Sequence, residues 1–332
     1  MSNTLNIPTR KILSVQSHVV HGYVGNKAAA FPLQFRGWDV DALNTVQYSN
    51  HPGYGSFTGF RSAVDDLRSI IDKGLTGGLG IRYDAVLTGY LPSVDALRDI
   101  CELVDKVCRE QNIPWVLDPV LGDRGRLYVD MACVEMYKTL LGKCTVSLTV
   151  PNQFEMETLT GVEISNKDRL KEAFARFHEL YPGVQRVVVS SIDYSRGANA
   201  STGTSTVAFA EMTHPQAIQY YTFDKIHAHF NGSGDLFSAL LIDMMYPEGS
   251  DTTQPLYMDA FALAVGRCLT LTHQILNRTY NLTVPGPATS DFAPTHALDT
   301  PHIRDLKLIQ CRDLLSVPSD KILIAYDLCE MH

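Results

Sequence analysis

The chain has 332 residues, of which 45% are apolar and 19% are charged, and its formal net charge at pH 7 is −8. A chain of this size and composition can bury a core without disulfides or structural metals. The acidic balance excludes broad nucleic-acid binding, which needs a surplus of Lys and Arg, but it does not exclude a nucleotide held by a few local positive groups.

The seven cysteines are odd in number and form no Cys-x-x-Cys pair, so they predict reduced, buried thiols rather than a disulfide or zinc framework. The start of the chain is polar, and no run approaches the roughly 18 apolar residues of a membrane-spanning helix. We therefore expect a cytoplasmic protein that binds neither membranes nor nucleic acids.

Short apolar or β-branched runs alternate with helical patterns through the first half of the chain. Strands are predicted at residues 11–15, 38–43, 84–88, 114–117, 145–149 and 186–189. Helices are predicted at 93–111, where Ser93 has the character of an N-cap, and at 166–180. Such alternation favours a mostly parallel sheet covered by helices on both faces, a three-layer α/β/α sandwich.

The second half of the chain departs from this alternation. Runs at 206–210 and 218–222 have no helix between them and predict an antiparallel pair at one sheet edge. Helices follow at 233–245 and 256–276, then a Pro-rich loop at 282–301 and a last strand at 322–325. No repeat or break in composition divides the chain, so we expect residues 1–332 to form one domain.

The turn before the predicted helix at 233–245 reads Gly232-Ser233-Gly234-Asp235. Glycines let the backbone approach a ligand closely, and the first N–H groups of a helix attract anions. Asp235 in the same turn could take a proton from an attacking hydroxyl. The same residues could also simply cap a buried helix, and a short motif alone does not decide between the two.

Acidic and polar side chains follow the predicted strands at their carboxyl ends, where ligands of such sheets bind. Asp118 and Asp123 could hold Mg²⁺, which binds through few carboxylates, or could be solvated loop residues. Asn152 and Glu155 have the spacing of a capping box, and the same pair could face a phosphate and a metal-bound water. No phosphate-binding Gly-x-x-x-x-Gly-Lys-Ser/Thr loop and no Gly-x-Gly-x-x-Gly dinucleotide motif is present.

Six motifs in this order resemble those of pyridoxal kinases of the ribokinase superfamily. They lie at residues 14–26, 46–51, 87–90, 118–123, 151–155 and 232–235, and the resemblance extends from Lys11 to about Gln274. It implies a ribokinase-like fold and ATP-dependent phosphorylation of the 5′-hydroxymethyl group of pyridoxal, pyridoxine and pyridoxamine, in vitamin B6 salvage. It also implies Mg²⁺, a monovalent cation (K⁺ or Na⁺) and a homodimer.

The resemblance assigns roles to individual residues. Asp235 would be the general base, and the amides of Gly232, Ser233 and Gly234 would form the anion hole. Asp118 and Glu155 would hold the metal. The acceptor pocket would be lined by Ser17, Val24, Tyr48, His51, Pro52, Tyr90 and Asp235. ATP would be bound by Asp118, Asp123, Asn152, Glu155, Ser190, Ser191, Ile226, His227, Ala228, Phe230 and Ser233, under a flap at 122–129.

Three departures from the family pattern stand out. Pro52 occupies a position where relatives often have Thr, and it offers no side-chain donor to the pyridine, so we expect the three vitamers to be ranked differently here. Val150 replaces a common Thr and removes one oxygen from the expected monovalent-cation site. The flap is short and carries Arg124 and Arg126, which could reach ATP phosphates.

Two alternative functions stay open. One is a kinase for another ring alcohol, such as hydroxymethylpyrimidine or a sugar. The other is a catalytically inactive protein that keeps the fold and binds pyridoxal species. The run 17–26 and Tyr90 favour a pyridine over a sugar, and Asp235 with the acidic residues favours catalysis.

Overall fold

The computed structural model describes residues 9–194, 203–254, 256–284 and 300–331. Most of the loop predicted at 282–301 lies outside these residues. Strands within the described ranges are β1 Arg10–Val19, β2 Trp38–Tyr48, β3 Gly59–Arg61, β4 Ala85–Thr88, β5 Trp115–Leu117, β6 Gly122–Asp123, β7 Arg126–Leu127, β8 Leu148–Thr149, β9 Arg186–Ile192, β10 Thr204–Glu211, β11 Gln219–Asp224, β12 His229–Phe230, β13 His302–Ile303 and β14 Leu328–Glu330.

Helices occupy the intervals between many of these strands. They are α1 Asn26–Phe35, α2 Val64–Ser69, α3 Val94–Gln111, α4 Met131–Lys143, α5 Gln153–Thr160, α6 Lys167–Leu180, α7 Ser233–Met245, α8 Met258–Thr283 and α9 Arg312–Leu315. A wider helical segment, Ile70–Gly78, continues α2, and a 3₁₀ turn at Pro52–Tyr54 follows β2. Within the described ranges, no helix is both long and apolar enough to cross a membrane.

Ten strands form one sheet in the order β14-β11-β10-β9-β8-β5-β4-β1-β2-β3. The six from β9 to β2 are parallel, while β3 at one edge and β10, β11 and β14 at the other are antiparallel. Two small sheets stand apart, the antiparallel pair β6–β7 and the parallel pair β12–β13. The predicted mostly parallel sheet with antiparallel edge strands is confirmed.

The central strands are apolar on both faces because helices cover both. In β9, Val187 and Val189 belong to the core beneath α3, α4, α5 and α6, while Val188 between them belongs to the core beneath α1, α7 and α8. All three side chains are fully buried. This is the alternation that a pleated strand imposes on neighbouring residues, and it explains why these strands read as continuous apolar runs.

Most predicted elements are confirmed, with different bounds at some ends. Ser93 caps α3 by accepting the backbone N–H of Ala96, and α7 spans the predicted residues 233–245. The run at 145–149 contributes only the two-residue strand β8, and α8 extends seven residues beyond the predicted end at 276, to Thr283.

The strand predicted at 322–325 is wrong. This segment packs against α8 instead, where the backbone N–H of Ala325 donates to the hydroxyl of Thr270. Ile324 reaches the helix at Gly266, where the lack of a side chain leaves room for it. The edge position next to β11 is taken by β14, a few residues farther on.

Candidate active site

The loop after β1 packs directly on the turn that starts α7. Gly232 caps this helix with a positive φ of 78°, and a methyl group there would lie 2.0 Å from the carbonyl oxygen of Tyr23. Gly25 also has a positive φ, 53°, and a methyl group on it would lie 2.2 Å from the carbonyl oxygen of Ser17. Only glycine allows both the backbone angles and the close approach, so the two loops fit together at these positions.

Asp235 lies in the first turn of α7 and is half-buried. Its carboxylate accepts a hydrogen bond from the backbone N–H of Gly25, which ties the helix to the loop after β1. Burial raises the pKa of Asp235 above its usual value, and the hydrogen bond opposes this rise in part. A carboxylate with a raised pKa is a better proton acceptor than one exposed to water.

Asp118 follows β5 and lies beside the same turn. Its Oδ2 accepts a hydrogen bond from the hydroxyl of Ser238 at 3.1 Å, and a methyl group on Gly234 would lie 3.9 Å from that oxygen. Burial and then the charge of Asp235 raise the pKa of Asp118 to about 7, against the effect of the Ser238 hydrogen bond. The two aspartates therefore repel each other when both are ionised.

Glu155 is the second buried carboxylate of the site, with only 4% of its surface exposed. Its Oε1 accepts the backbone N–H groups of Leu121 and Gly122, at 2.9 and 3.3 Å, and its Oε2 accepts that of Asn152 at 2.8 Å. Burial and then the charge of Asp118 raise the pKa of Glu155 well above its usual value, although the three N–H groups oppose this.

The capping box predicted for α5 is present, and it connects the helix to the flap. Asn152 accepts the backbone N–H of Glu155 at 3.0 Å and donates from Nδ2 to the carbonyl oxygen of Gly122 at 2.8 Å. Asn152 also forms an isolated parallel bridge with Ser190. Ser191, the next residue, is exposed and has a positive φ of 56°, at an irregularity in the pairing of β9 with β10.

The flap is a tight hairpin formed by β6 and β7. Its two turn residues, Arg124 and Gly125, both have positive φ, as a two-residue hairpin turn of type I′ requires. The charges of Arg124 and Asp123 reach His229 in β12, whose pKa is lowered chiefly by burial. The flap tip therefore lies close enough to the segment 226–230 for its charges to act on His229. In that segment Ile226, Ala228 and Phe230 are half-buried and His227 is exposed.

The predicted acceptor-pocket residues occupy neighbouring loops and strand ends. Burial raises the pKa of Tyr90, and the charges that affect it include that of Tyr48, whose ring lies 4.8 Å from that of Phe57. Ser17 lies against Gly25, and the backbone of Val24 lies against Gly232. These contacts place Ser17 and Val24 beside the N-terminus of α7, whereas Tyr48 and Tyr90 lie near each other.

His51 and Pro52 open the 3₁₀ turn that follows β2. The Nδ1 atom of His51 accepts the backbone N–H of Gly53 at 3.0 Å, and Pro52 is exposed at the first position of the turn. Burial, and then nearby His302, lowers the pKa of His51.

Sequence reasoning missed several residues of this site. Ser238 could have been found, because it lies three residues after Asp235 on the same helical face. Tyr54, His302 and Asp305 had no local signal, since the last two come from a segment outside the family motifs.

The carboxylates fit a divalent cation that keeps most of its water. Asp118 and Glu155 are buried, their charges repel, and neither is paired with a Lys or Arg of the described ranges. No group of three or more His, Cys, Asp or Glu side chains suited to a metal occurs in the same ranges. Two carboxylates with a bound anion are the donor set typical of Mg²⁺ rather than of a closed protein cage.

Comparison with known proteins gives consistent matches. Residues 70–250 match the family described as phosphomethylpyrimidine kinase. The chain is 48% identical over 316 residues to "Putative pyridoxal kinase BUD17" of Saccharomyces cerevisiae, covering 95% of each chain. It is 37% identical over 278 residues to the pyridoxal kinase of Arabidopsis thaliana, covering 81% of this chain and 85% of that one.

A solved structure extends the likeness to the fold. The pyridoxal kinase of Leishmania donovani in complex with ADP and pyridoxine superposes with a TM-score of 0.76 at 28% identity, covering 97% of this chain and 99% of that one.

Proposed function

The chain belongs to the pyridoxal kinase family, and from this we propose that it transfers the γ-phosphoryl group of ATP to the 5′-hydroxymethyl group of pyridoxal, pyridoxine and pyridoxamine. The observation that carries the proposal is the arrangement of Asp235, Asp118 and Glu155 around the N-terminus of α7. The Leishmania donovani relative, described with ADP and pyridoxine, supports both a nucleotide and a pyridine alcohol as ligands.

Asp235 is the general base in this proposal. It takes the proton of the attacking hydroxyl, and its raised pKa and its fixed position on Gly25 suit that task. Burial of the carboxylate favours the neutral, protonated Asp235 that forms once the proton is transferred.

The N-terminus of α7 stabilises the charge that develops on the transferring phosphoryl group. The backbone N–H groups at Gly232, Ser233 and Gly234 have no partners within the helix, and the 13-residue helix directs its positive dipole end at the same point. Donors fixed before the reaction need no reorganisation during it.

Asp118 and Glu155 are the residues that would hold Mg²⁺, directly or through water, beside the phosphates. When bound, the cation supplies the charge neutralisation that phosphoryl transfer needs. We include a monovalent cation (K⁺ or Na⁺) in the proposal. The side chain of Val150 has no oxygen that could bind this cation.

The nucleotide lies, in this proposal, between the flap and the segment 226–230. Asp123, Asn152, Ser190 and Ser191 stand at consecutive strand ends on that side, and Ile226, His227, Ala228, Phe230 and Ser233 border it from the other. The two sides approach each other at Arg124 and His229, which is where a bound nucleotide would be enclosed.

The acceptor is held on the opposite side of Asp235. Tyr90 and Tyr48 provide aromatic walls for a flat pyridine, and Ser17 provides a polar contact. Val24, His51 and Pro52 complete the pocket. Pro52 has no side-chain donor, so it contributes shape rather than a hydrogen bond.

A second acceptor is favoured by one observation. The matching family is described as phosphomethylpyrimidine kinase, so a hydroxymethylpyrimidine is the competing ring alcohol.

We further propose that the chain forms one domain, assembles as a homodimer and works in the cytoplasm. Its seven cysteines are all free thiols.

The deciding experiment is a kinase assay with ATP and Mg²⁺ in which each vitamer and hydroxymethylpyrimidine are offered separately. We expect phosphorylated vitamers, with pyridoxal phosphate followed by its absorbance, and slower turnover of the pyrimidine. Folded, ATP-binding protein that phosphorylates none of the three vitamers would overturn the proposal. Light scattering on the same sample tests the homodimer.

A further inference from the structure

A carboxylate from the far end of the chain touches two loops of the acceptor pocket. Asp305 follows β13, and 23% of its side-chain surface is exposed. Its Oδ2 accepts a hydrogen bond from the hydroxyl of Tyr54 and lies 3.6 Å from Nε2 of His21. Tyr54 closes the turn that begins with Pro52, and His21 belongs to the loop after β1.

The same carboxylate lies against the backbone of the loop after β1. Gly22 has a positive φ of 94°, and a methyl group on it would lie 2.5 Å from Oδ1 of Asp305. Any other residue would therefore collide with the carboxylate as well as strain the backbone. The loop and the carboxylate fit only because this position is glycine.

Tyr54 is held from several directions. The guanidinium of Arg304 lies over its ring at 4.9 Å, and the ring of His21 meets it edge-on at 6.1 Å. Burial, and then Asp305, raises the pKa of Tyr54 to about 12, so its hydroxyl stays protonated and can donate. The turn after β2 is thus fixed by the segment that carries Asp305.

This segment is also fixed to the strand that leads into the catalytic turn. β13 pairs with β12, and His302 shares a 3.0 Å hydrogen bond with the side-chain oxygen of Asn231. Asn231 directly precedes Gly232. A series of contacts therefore runs from the N-terminus of α7 through β13 to both acceptor loops.

One oxygen of this carboxylate is left without a donor. Oδ1 of Asp305 is buried and has no hydrogen-bond partner among residues 9–194, 203–254, 256–284 and 300–331. A buried acceptor in that state costs stability, so packing alone does not explain a carboxyl group here.

We propose that Asp305 is a positioning residue for acceptor binding, which holds the loops at Gly22 and at Pro52–Tyr54 in place relative to the N-terminus of α7. The inference rests on the proposed function, because it takes those loops as walls of the pyridine pocket. Asp305 acts through Tyr54 and the backbone of the loop after β1, without touching the reacting atoms.

The test is a double-mutant cycle of Asp305→Ala and Tyr54→Phe, with steady-state kinetics for each substrate. We expect each single variant to raise KM for pyridoxal by roughly tenfold, as the loss of a hydrogen bond to a charged group predicts, and to leave KM for ATP within about twofold. Because both changes break one contact, the double variant should bind pyridoxal no more weakly than Asp305→Ala alone.

Asp313→Ala is the matched control. Asp313 lies on α9 of the same C-terminal segment, is exposed and pairs with Arg278, so its loss should change neither KM. If Asp305→Ala fails to fold, Tyr54→Phe decides, since it keeps the ring and removes only the hydroxyl.

The outcomes separate this inference from the proposed function. Wild-type protein without kinase activity on any vitamer would overturn the proposed function. Active wild-type protein whose Tyr54→Phe variant keeps its KM for pyridoxal, or raises both KM values equally, would overturn the role of Asp305 alone. Rescue of KM by Asp305→Glu, with Asp305→Ala impaired, would support it further.

Discussion

Asp235 and Asp118 share the N-terminal end of α7, and each makes ionisation of the other less favourable. The pKa of Asp235 is raised by its burial and that of Asp118 by its burial and by Asp235. Their local contacts differ, since Asp235 is bound by the amide of Gly25 and Asp118 by the hydroxyl of Ser238. The first group faces the acceptor loop and the second faces the strand ends, which fits a base and a metal-binding residue respectively.

Replacing the proposed base, Asp235, should slow the chemical step and leave the affinity for ATP unchanged. We expect Asp235→Asn to lower kcat by ~10²–10⁴-fold and to leave the Kd for ATP within about twofold, because a positioned base contributes this much to the transition state. Asp259→Asn is a suitable control, as Asp259 occupies the first turn of α8 and is exposed. Normal turnover by Asp235→Asn would remove it from the role of base.

The acceptor loop should respond to acid through His51. Its pKa is lowered by burial and by His302, and Nδ1 must be unprotonated to accept the N–H of Gly53. Because the pKa of His51 is lowered in the native state, this state binds fewer protons than the unfolded state below pH 6.5. The contribution of His51 to stability is therefore complete above pH 6.5, the ordinary pKa of histidine, and is lost as the pH falls through the lowered pKa of the native state.

We therefore expect KM for pyridoxal to stay constant near pH 6.5 and to rise at lower pH, as His51 is protonated at its lowered pKa. His51→Gln is the comparison, because its amide does not titrate while it can still accept a hydrogen bond. In this variant, the rise of KM for pyridoxal that is caused by protonation of His51 should be absent. An identical rise in both proteins would assign the effect to the substrate or to another group.

At the scale of elements, the N-terminus of α5 has a structural role and a proposed functional one. Asn152 caps the helix, and its Nδ2 binds the flap at Gly122. Glu155 closes the capping box and also accepts two N–H groups of the loop after β5. The geometry of the capping box is therefore compatible both with a purely structural role and with an additional role in ligand binding.

A pair of capping variants separates the two roles. Asn152→Ala and Asn166→Ala each remove an asparagine N-cap, of α5 and of α6, and each should lower the free energy of unfolding by about 1 kcal/mol. Only Asn152→Ala should raise KM for ATP, because Asn152 also binds the flap at Gly122, whereas Asn166 is exposed and caps α6 through the backbone N–H of Arg169. Chemical denaturation and steady-state kinetics measure the two effects. Equal ATP kinetics would leave Asn152 with the structural role alone.

Elements with strong local patterns could be predicted, and those made by pairing could not. The apolar periodicity of residues 93–111 predicts α3 because one face is buried, with Leu97, Ile100 and Val104 fully covered. The run at 322–325 has equal local strand character, yet its partner is α8. In contrast, β14 has only three residues, and nothing in them indicates a strand until β11 is present beside them.

At the scale of the whole molecule, a buried ion cluster joins distant parts of the chain. Asp243 in α7 accepts hydrogen bonds from Arg10 at 3.2 Å, from Trp38 at 3.0 Å and from Ser319 at 3.2 Å, and it also pairs with Arg36. It thereby connects the starts of β1 and β2 and the end of α1 with the C-terminal segment.

Removing the shared anion should destabilise the fold strongly. We expect Asp243→Ala to cost about 3–5 kcal/mol in the free energy of unfolding, because two arginines would lose their buried partner. Glu135→Ala, which breaks an exposed pair with Lys138, should cost less than about 1 kcal/mol. Urea denaturation of the two variants measures the loss in the free energy of unfolding of each. Similar losses in both variants would contradict the importance assigned to the cluster.

The candidate site divides in the same way between predictable and unpredictable parts. The residues around Asp235, Asp118 and Asn152 lie within short motifs, so their chemistry is visible locally. The contact between Tyr54 and Asp305 joins residues 251 positions apart and follows no periodicity. It became visible only when the pairing of β13 with β12 was known.

The position of β13 has a consequence for the synthesis of the protein. During synthesis the N-terminal part of the chain emerges from the ribosome first, so β1, β2 and the turn at Gly232–Asp235 emerge well before residues 300–331. Until then β12 lacks its pairing strand, Tyr54 lacks its carboxylate, and Arg36 lacks the carbonyl oxygens of Leu315 and Val317 that it binds in the finished fold. A nascent chain at that stage exposes an open strand edge at β12 and lacks the contacts that fix the turn after β2.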